Sequence, residues 1–496
     1  MPCIKLLFCL FVLSVQLWAG PQRPFPQEVS PEHAIQPDRY TQEEMNEDVI
    51  AVYEHYKTFL RESLRTPGGY YMLAGGTNIG FDTTATVSEA HGYGMIVFAL
   101  MAGYDEGAKE YFDGMYQFYR DNPSYVNSYN MAWEIEGLER ERGERSSATD
   151  GDMDIAYALL LAHRQWGSDG EIDYLQAAQN LITRGLKEDC MSPYTARIML
   201  GDWDQWSDNY HYTTRSSDWM TAHLRTYYWA TEDAFWLEAV DTVYSIMDAI
   251  TQNYSPQTGL MPDFVAGRDP YPDPDGGGTG EPNSHKYDWN ACRVPWRIGM
   301  DYVHFESPEA REAAKNMMTW VMEKTGGDPA EIVGGYHLDG TPIEGRAPTI
   351  AFQAPFAVTA MIDEEYQDFL NKSWALMREG KETSVYRTAL NLLSMLVVSG
   401  NWWNPVEERP GQREFRLNVH NGTGGGVYEV GDTVTIHADD PPAGTEFLSG
   451  VGMFLFFQRQ QKRQSSLLCH VKIFSLLHFI EIPLQKKIRR DFPRVL

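Results

Sequence analysis

The chain has 496 residues, 43% of them hydrophobic and 13% aromatic, which is enough to bury a large core in one domain or several and excludes a chain that is disordered overall. A formal net charge of -28 argues against nucleic acid as a partner, because phosphate binding depends on clustered Lys and Arg. Fourteen Trp and twenty-eight Tyr exceed the usual needs of packing; flat aromatic faces also serve as platforms for sugar rings or partners, although any single one is more often core.

The first predicted element is residues 1–20, MPCIKLLFCLFVLSVQLWAG, with one Lys, an apolar run from Leu6, and small residues at Ala19 and Gly20. This is the pattern of a secretory signal peptide, too short for a membrane span, so a secreted protein without membrane attachment after cleavage is expected. Cys3 and Cys9 fall in that segment and Cys469 near the other end. Only Cys190 and Cys292 then belong to the folded body, which gives neither a disulfide framework nor a zinc pattern and leaves open whether the two pair.

From Thr41 to about Pro405, apolar residues recur at three- and four-residue steps over 41–64, 89–119, 154–166, 171–186, 233–254, 308–326 and 382–400. That is the period of one buried helix face. About a dozen helices with few strand signals predict an all-α toroid or solenoid, and the lack of a fixed repeat argues against the solenoid. Two connecting loops, 201–220 and 265–297, are long and aromatic, as functional loops on a rigid scaffold often are. Residues 412–450 alternate apolar and polar between Gly turns and read as a small β module, like the Gly-rich repeats of bacterial secreted proteins, cut short near Gly450. The basic tail 451–496 continues none of these patterns and is expected to be disordered or misread sequence.

The helix that begins in ATDGDMDIAYALLLAHRQW, residues 148–166, carries three aspartates in five positions. Thr149 or Asp150 is placed to cap it, and Asp152 falls in the first turn, where a carboxylate meets the positive end of the helix dipole. Capping does not account for Gly151 between two of the aspartates.

This stretch resembles the signature of glycoside hydrolase family 8, the inverting, endo-acting enzymes that cut β-1,4-linked glucans, xylans or chitosan. VSEAHGYGM (87–95), MAWEI (131–135), TRSSDWM (214–220), GLMPDF (259–264), NACRVPWRIGMDY (290–302) and YHLDG (336–340) follow in the family's order. The resemblance implies an (α/α)6 barrel over residues 40–405 with a sugar-binding cleft across one end, and it requires no metal or cofactor.

Inverting hydrolysis needs a carboxylic acid for the leaving oxygen and a base about 6.5–9.5 Å away that leaves room for water. Glu89 matches the family's proton donor; its isolated reading is a helix-start glutamate after a Ser88 cap. Asp150 matches the aspartate that contacts and distorts the central sugar, while Asp152 and Asp154 read as structural. Where many members have an aspartate base, this chain has Asn290, which accepts no proton at neutral pH. Another branch of the family has asparagine there and takes its base from a glutamate in the preceding loop. Glu281 is the matching candidate, with Asp288 next and Asp275 also in the loop.

The resemblance further implies sugar contacts from Trp133, Trp203, Tyr212, Asn290 and Arg293; any of these aromatics can instead be core. His91 reads as a polar helix residue rather than a metal ligand. The leading expectation is a secreted, monomeric endo-β-1,4-glucanase acting on cellulose or mixed-linkage β-glucan. A chitosanase with the same mechanism, favoured by the negative charge, and a polysaccharide-binding protein without catalysis are the alternatives.

Overall fold

The computed structural model describes residues 20–406 except 75–83, 137–144, 205–209 and 381, and beyond them only strands between 414 and 488. All of the expected signal peptide but Gly20 lies outside the described residues. The chain divides into one unit ending at Val406 and a second beginning at Glu407.

The described residues form α1 (Gln42–Lys57), α2 (Ser88–Met101), α3 (Ala108–Asp121), α4 (Thr149–Trp166), α5 (Tyr174–Asn180), α6 (Thr221–Thr231), α7 (Phe235–Tyr254), α8 (Val294–Phe305), α9 (Pro308–Thr325), α10 (Ile350–Ala360), α11 (Gln367–Met377) and α12 (Val385–Val398); the predicted run 89–119 is split into α2 and α3, and α6, α8, α10 and α11 lie outside the segments named from sequence. The even-numbered helices pack in a closed ring, each on the next, with α12 returning to α2. Each odd-numbered helix covers one of them from outside: α3 on α2, α5 on α4, α7 on α6, α9 on α8, α11 on α10 and α1 on α12. This double ring is the (α/α)6 barrel.

The sequence dictates which helices go inside. α10 buries all eleven of its residues, and α2 buries every residue except Glu89, so neither has a face to offer water. The outer helices are amphipathic instead; α9 buries Ala310, Ala314, Met317 and Val321 along one stripe and leaves charge on the other. Two residues separate α8 from α9 and three separate α6 from α7, so each outer helix turns straight back along its inner partner. The inner helices therefore all start at one end, and the long connections 122–148, 191–220, 255–293 and 326–349 gather there.

Short strands steer those connections. Thr84–Val87 pairs with Glu134–Glu136 and feeds directly into α2, and Thr214–Arg215 pairs with Phe264–Ala266. The helix predicted over 41–64 stops at Lys57, because the chain turns there into a hairpin of Leu60–Glu62 with Tyr70–Met72. The periodic segment 171–186 runs as α5 and continues as a π-helix, Leu181–Cys190. Cys190 and Cys292 are both buried and unpaired.

In the second unit, strands Glu414–His420, Gly426–Glu429, Thr433–Ala438 and Thr445–Gly450 lie in the segment read as a β module. Two more, Leu468–Lys472 and Phe479–Ile488, lie in the tail expected to be without regular structure.

Neither Thr149 nor Asp150 caps α4. The N-cap is Ala148, Thr149 Oγ1 donates to the Met199 carbonyl at 2.6 Å, and Asp150 Oδ1 accepts from the adjacent Gly151 N–H at 2.9 Å. Gly151 is explained by the α2–α4 crossing: a Cβ there would lie 2.3 Å from Ser88 Oγ and 2.5 Å from the Ser88 carbonyl carbon. Gly92 does the same from the other side, its Cβ position falling 2.7 Å from Asp154 Cβ. Alanine favours a helix interior over glycine by about 1 kcal/mol, but overpacking at a rigid crossing costs about 1–3 kcal/mol. Gly151→Ala should therefore lower stability in urea unfolding; a more stable variant would contradict this account of the crossing.

Candidate active site

Spacing places the charges first. Asp150 and Asp154 are one helical turn apart on α4, and Arg293 and Arg297 are one turn apart at the start of α8, so the pairs stack as two layers across the barrel. In the inner layer Arg297 holds Asp154 with two bonds, Nη1–Oδ1 at 3.0 Å and Nη2–Oδ2 at 2.6 Å, and His223 Nε2 adds a third contact at 3.0 Å. Asp152 faces the opposite way, accepting the Met131 N–H at 2.8 Å. Both are buried and structural in their contacts.

The outer layer faces the loops. Arg293 Nη1 donates to Asp150 Oδ2 at 3.1 Å and makes a close ion pair with Glu89 Oε2, while Nη2 donates to Asn290 Oδ1 at 2.9 Å. Tyr386, at the start of α12, lies with its ring 5.8 Å from the same guanidinium. Residues from the starts of α2, α4, α8 and α12 thus meet at one cation.

The two carboxylates are driven apart in acidity. Glu89, whose side chain is 19% exposed, is pushed up to about 7 by burial; Arg293 pulls it down and the nearby Asp150 charge pushes it up. Burial also raises Asp150, but Arg215 and Arg293 outweigh it and hold that carboxyl below its usual value. One group is thus ready to give a proton near neutrality while its neighbour stays ionised, the split by which acid and base roles are assigned.

Of the three candidate bases, the structure brings one into this cluster. Glu281 is half-buried, and its Oε2 accepts from Asn290 Nδ2 at 2.9 Å. Asp288 is buried elsewhere, held by Arg346 Nη2 at 2.7 Å and Asn283 Nδ2 at 3.1 Å. Asp275 is exposed, and its carbonyl closes a turn by accepting the Gly278 N–H at 3.0 Å.

The aromatics divide in the same way. Trp133 sits beside the start of α2, its carbonyl accepting the Ser88 N–H at 2.9 Å and the Arg145 guanidinium lying 5.8 Å from its ring. Trp203 is half-buried and packs edge-on to Tyr210 at 5.4 Å. Tyr212 is engaged by the protein itself, with Arg197 and Arg268 at 5.6 and 5.2 Å from its ring and its hydroxyl accepting from Arg268 at 2.8 Å. No hydrogen bond among the described residues joins Trp203 or Tyr212 to the Arg293 cluster. His91 Nε2 bonds the Met115 carbonyl at 2.9 Å inside the core.

Three further residues belong here that sequence reasoning did not single out. Arg215 Nε lies 3.5 Å from Asp218 Oδ1 and feels the charges of Asp150 and Glu281. Asp218 is pushed up to about 6 by burial, against Arg215 and with Asp150. Asp263 is pushed up to about 7 by burial, against N–H bonds from Ala291 and Asn290. For the two aspartates the signal was a carboxylate set among apolar or small residues in TRSSDWM and GLMPDF, where it is buried only with partners.

A carboxyl pushed up to about 7 by burial beside a carboxylate held below its usual value, with a third carboxylate linked through one amide, is the equipment of a glycoside hydrolase. The chain belongs to glycosyl hydrolases family 8, whose profile matches residues 77–400. It is 40% identical over 408 residues to an endoglucanase of Bacillus sp. (strain KSM-330), covering 81% of this chain and 87% of that one. It is 39% identical over 398 residues to a beta-glucanase of Niallia circulans, covering 78% and 92%. Among solved structures, the apo beta-1,3-1,4-glucanase from Paenibacillus sp. X4 superposes with a TM-score of 0.73 at 39% identity, over 78% of this chain and 100% of that one.

Because Asp150 helps keep Glu89 protonated, Asp150→Asn should lower the pKa of Glu89. Activity that needs the protonated acid is lost as pH rises through that value, so the alkaline limb of kcat/KM should move to lower pH by roughly one unit. A limb that stays in place in the residual activity of the variant would show that Asp150 does not act on Glu89.

Proposed function

We propose that the protein is an endo-acting β-glucanase that inverts the anomeric centre, with Glu89 as general acid, Glu281 as general base and Asp150 as the ionised carboxylate against the central sugar. The observation that carries this reading is the raised, part-exposed Glu89 joined through Arg293 and Asn290 to the carboxylate of Glu281. The names of the relatives, endoglucanase and beta-glucanase, support a β-linked glucan as the polymer, cellulose or the mixed-linkage kind. The leader-like segment 1–20 supports export.

In this mechanism Glu89 gives its proton to the glycosidic oxygen as the bond to the anomeric carbon breaks. Water attacks that carbon from the opposite face, and Glu281 takes the proton that water releases. Glu89 ends ionised and Glu281 protonated, and exchange with solvent resets both. Arg293 lowers the cost of the charge left on Glu89 once its proton has gone. Burial keeps that charge from forming earlier. Asn290 supplies an N–H to Glu281 and a carbonyl to Arg293, so a residue unable to accept a proton still orders the groups that do.

Glu89→Gln and Glu281→Ala should each lower kcat on soluble mixed-linkage β-glucan by about 10²–10⁴-fold, with proton NMR of the wild-type reaction showing the α anomer first. Full activity in either variant, or the β anomer first, would overturn the assignment. Chitosan belongs in the same panel because of the net charge of -28, and cleavage of chitosan alone would move the substrate to that polymer. Binding of oligosaccharides with no hydrolysis would reduce the protein to a binding module.

A further inference from the structure

Asp263 immediately precedes the strand Phe264–Ala266 and is buried. Its carboxylate faces four N–H groups: Oδ1 accepts from the backbone of Asp288 at 2.9 Å and Ala291 at 2.7 Å, and Oδ2 from the backbone of Asn290 at 3.1 Å and from Asn290 Nδ2 at 3.2 Å. Burial pushes this carboxyl up to about 7, while the N–H groups facing it favour the ionised form, in which it is an acceptor only.

The last of these bonds decides which way the Asn290 amide faces. With Nδ2 toward Asp263, the second amide hydrogen reaches Glu281 Oε2 at 2.9 Å, and Oδ1 accepts from Arg293 Nη2 at 2.9 Å. Reversing the amide would set its oxygen against the carboxylates of Asp263 and Glu281 and its NH2 against a guanidinium. All three contacts would become repulsive, so the orientation is fixed by charge rather than by shape.

We propose that Asp263 is the positioning residue of the general base: by fixing the Asn290 amide it holds the Glu281 carboxylate where water is activated. This rests on the reading of Glu281 as base. It gives the Asn290 branch of the chemistry a requirement that an aspartate base would not have, a second carboxylate dedicated to aiming an amide. A purely structural alternative exists on the same contacts, since Asp263 also ties down the backbone at 288–291 that leads to Arg293.

A double-mutant cycle separates the two. In the full chain, kcat and KM on soluble mixed-linkage β-glucan are measured for wild type, Asp263→Asn, Glu281→Ala and the double variant, with thermal unfolding of each. Positioning predicts that Asp263→Asn lowers kcat on the order of 10–100-fold with KM within about threefold. In the Glu281→Ala background it should cost less than about threefold, because nothing is left to aim. Equal losses in both backgrounds, or wild-type kcat in Asp263→Asn, would overturn the proposal. If Asp263→Asn does not fold, Asn290→Ala replaces it, since the three backbone bonds to Asp263 survive; the same cycle then applies with the same deciding outcomes. Full activity in Glu281→Ala would instead sink the assignment of the base itself.

Discussion

One guanidinium ties the working end of the barrel together. Arg293 pairs with carboxylates from α2 and α4 and with the Asn290 amide, and it stands on a segment whose backbone N–H groups are held by Asp263. Paired charges taken out of water are weak contributors to stability, but leaving one unpaired in a buried site is expensive. The position of Glu89 is therefore linked to that of Asn290, and through it to Glu281. A flexible lysine would carry the charge without the planar fork that reaches three groups at once.

The closed ring makes this convergence possible. Six inner helices starting at one end bring six positive dipole ends together, a field that favours carboxylates in their first turns. Glu89 and Asp150 occupy those turns, yet only Asp150 is held below its usual pKa. Arg215 and Arg293 both act on Asp150, whereas burial dominates at Glu89. Below them Asp154 is paired with Arg297, and its charge still adds to the upward push on Glu89 and Asp150. A chain with a net charge of -28 thus keeps its buried acidic groups at this end within reach of arginine or backbone donors.

Much of this was legible in the order of residues. A run such as 88–101, with Glu89 its only part-exposed side chain, announces an inner helix, and the stripe of α9 announces an outer one. The roles of Glu89 and Asp150 came from a family resemblance rather than from periodicity. What sequence could not supply was contact across long separations. Asp288 is nearer to Asn290 in the chain than Glu281 is, but Arg346, far along the sequence, takes it out of the cluster. Tyr212 reads from sequence as a sugar contact, and only the structure brings Arg197 and Arg268 against its ring. Gly151 had no reason until α2 crossed α4, and Asp263 none until its four donors were known.

The whole reading depends on a proton being present on a buried carboxyl at the pH where its neighbour has lost one. The direct measurement is carbon-13 NMR of glutamate side-chain carboxyls across pH 4 to 9, with the Glu89 signal identified by its loss in Glu89→Gln. A titration midpoint near 7 is the predicted result. A midpoint near 4.5, the ordinary value for a glutamate, would mean that Glu89 is ionised at neutral pH and cannot be the proton donor.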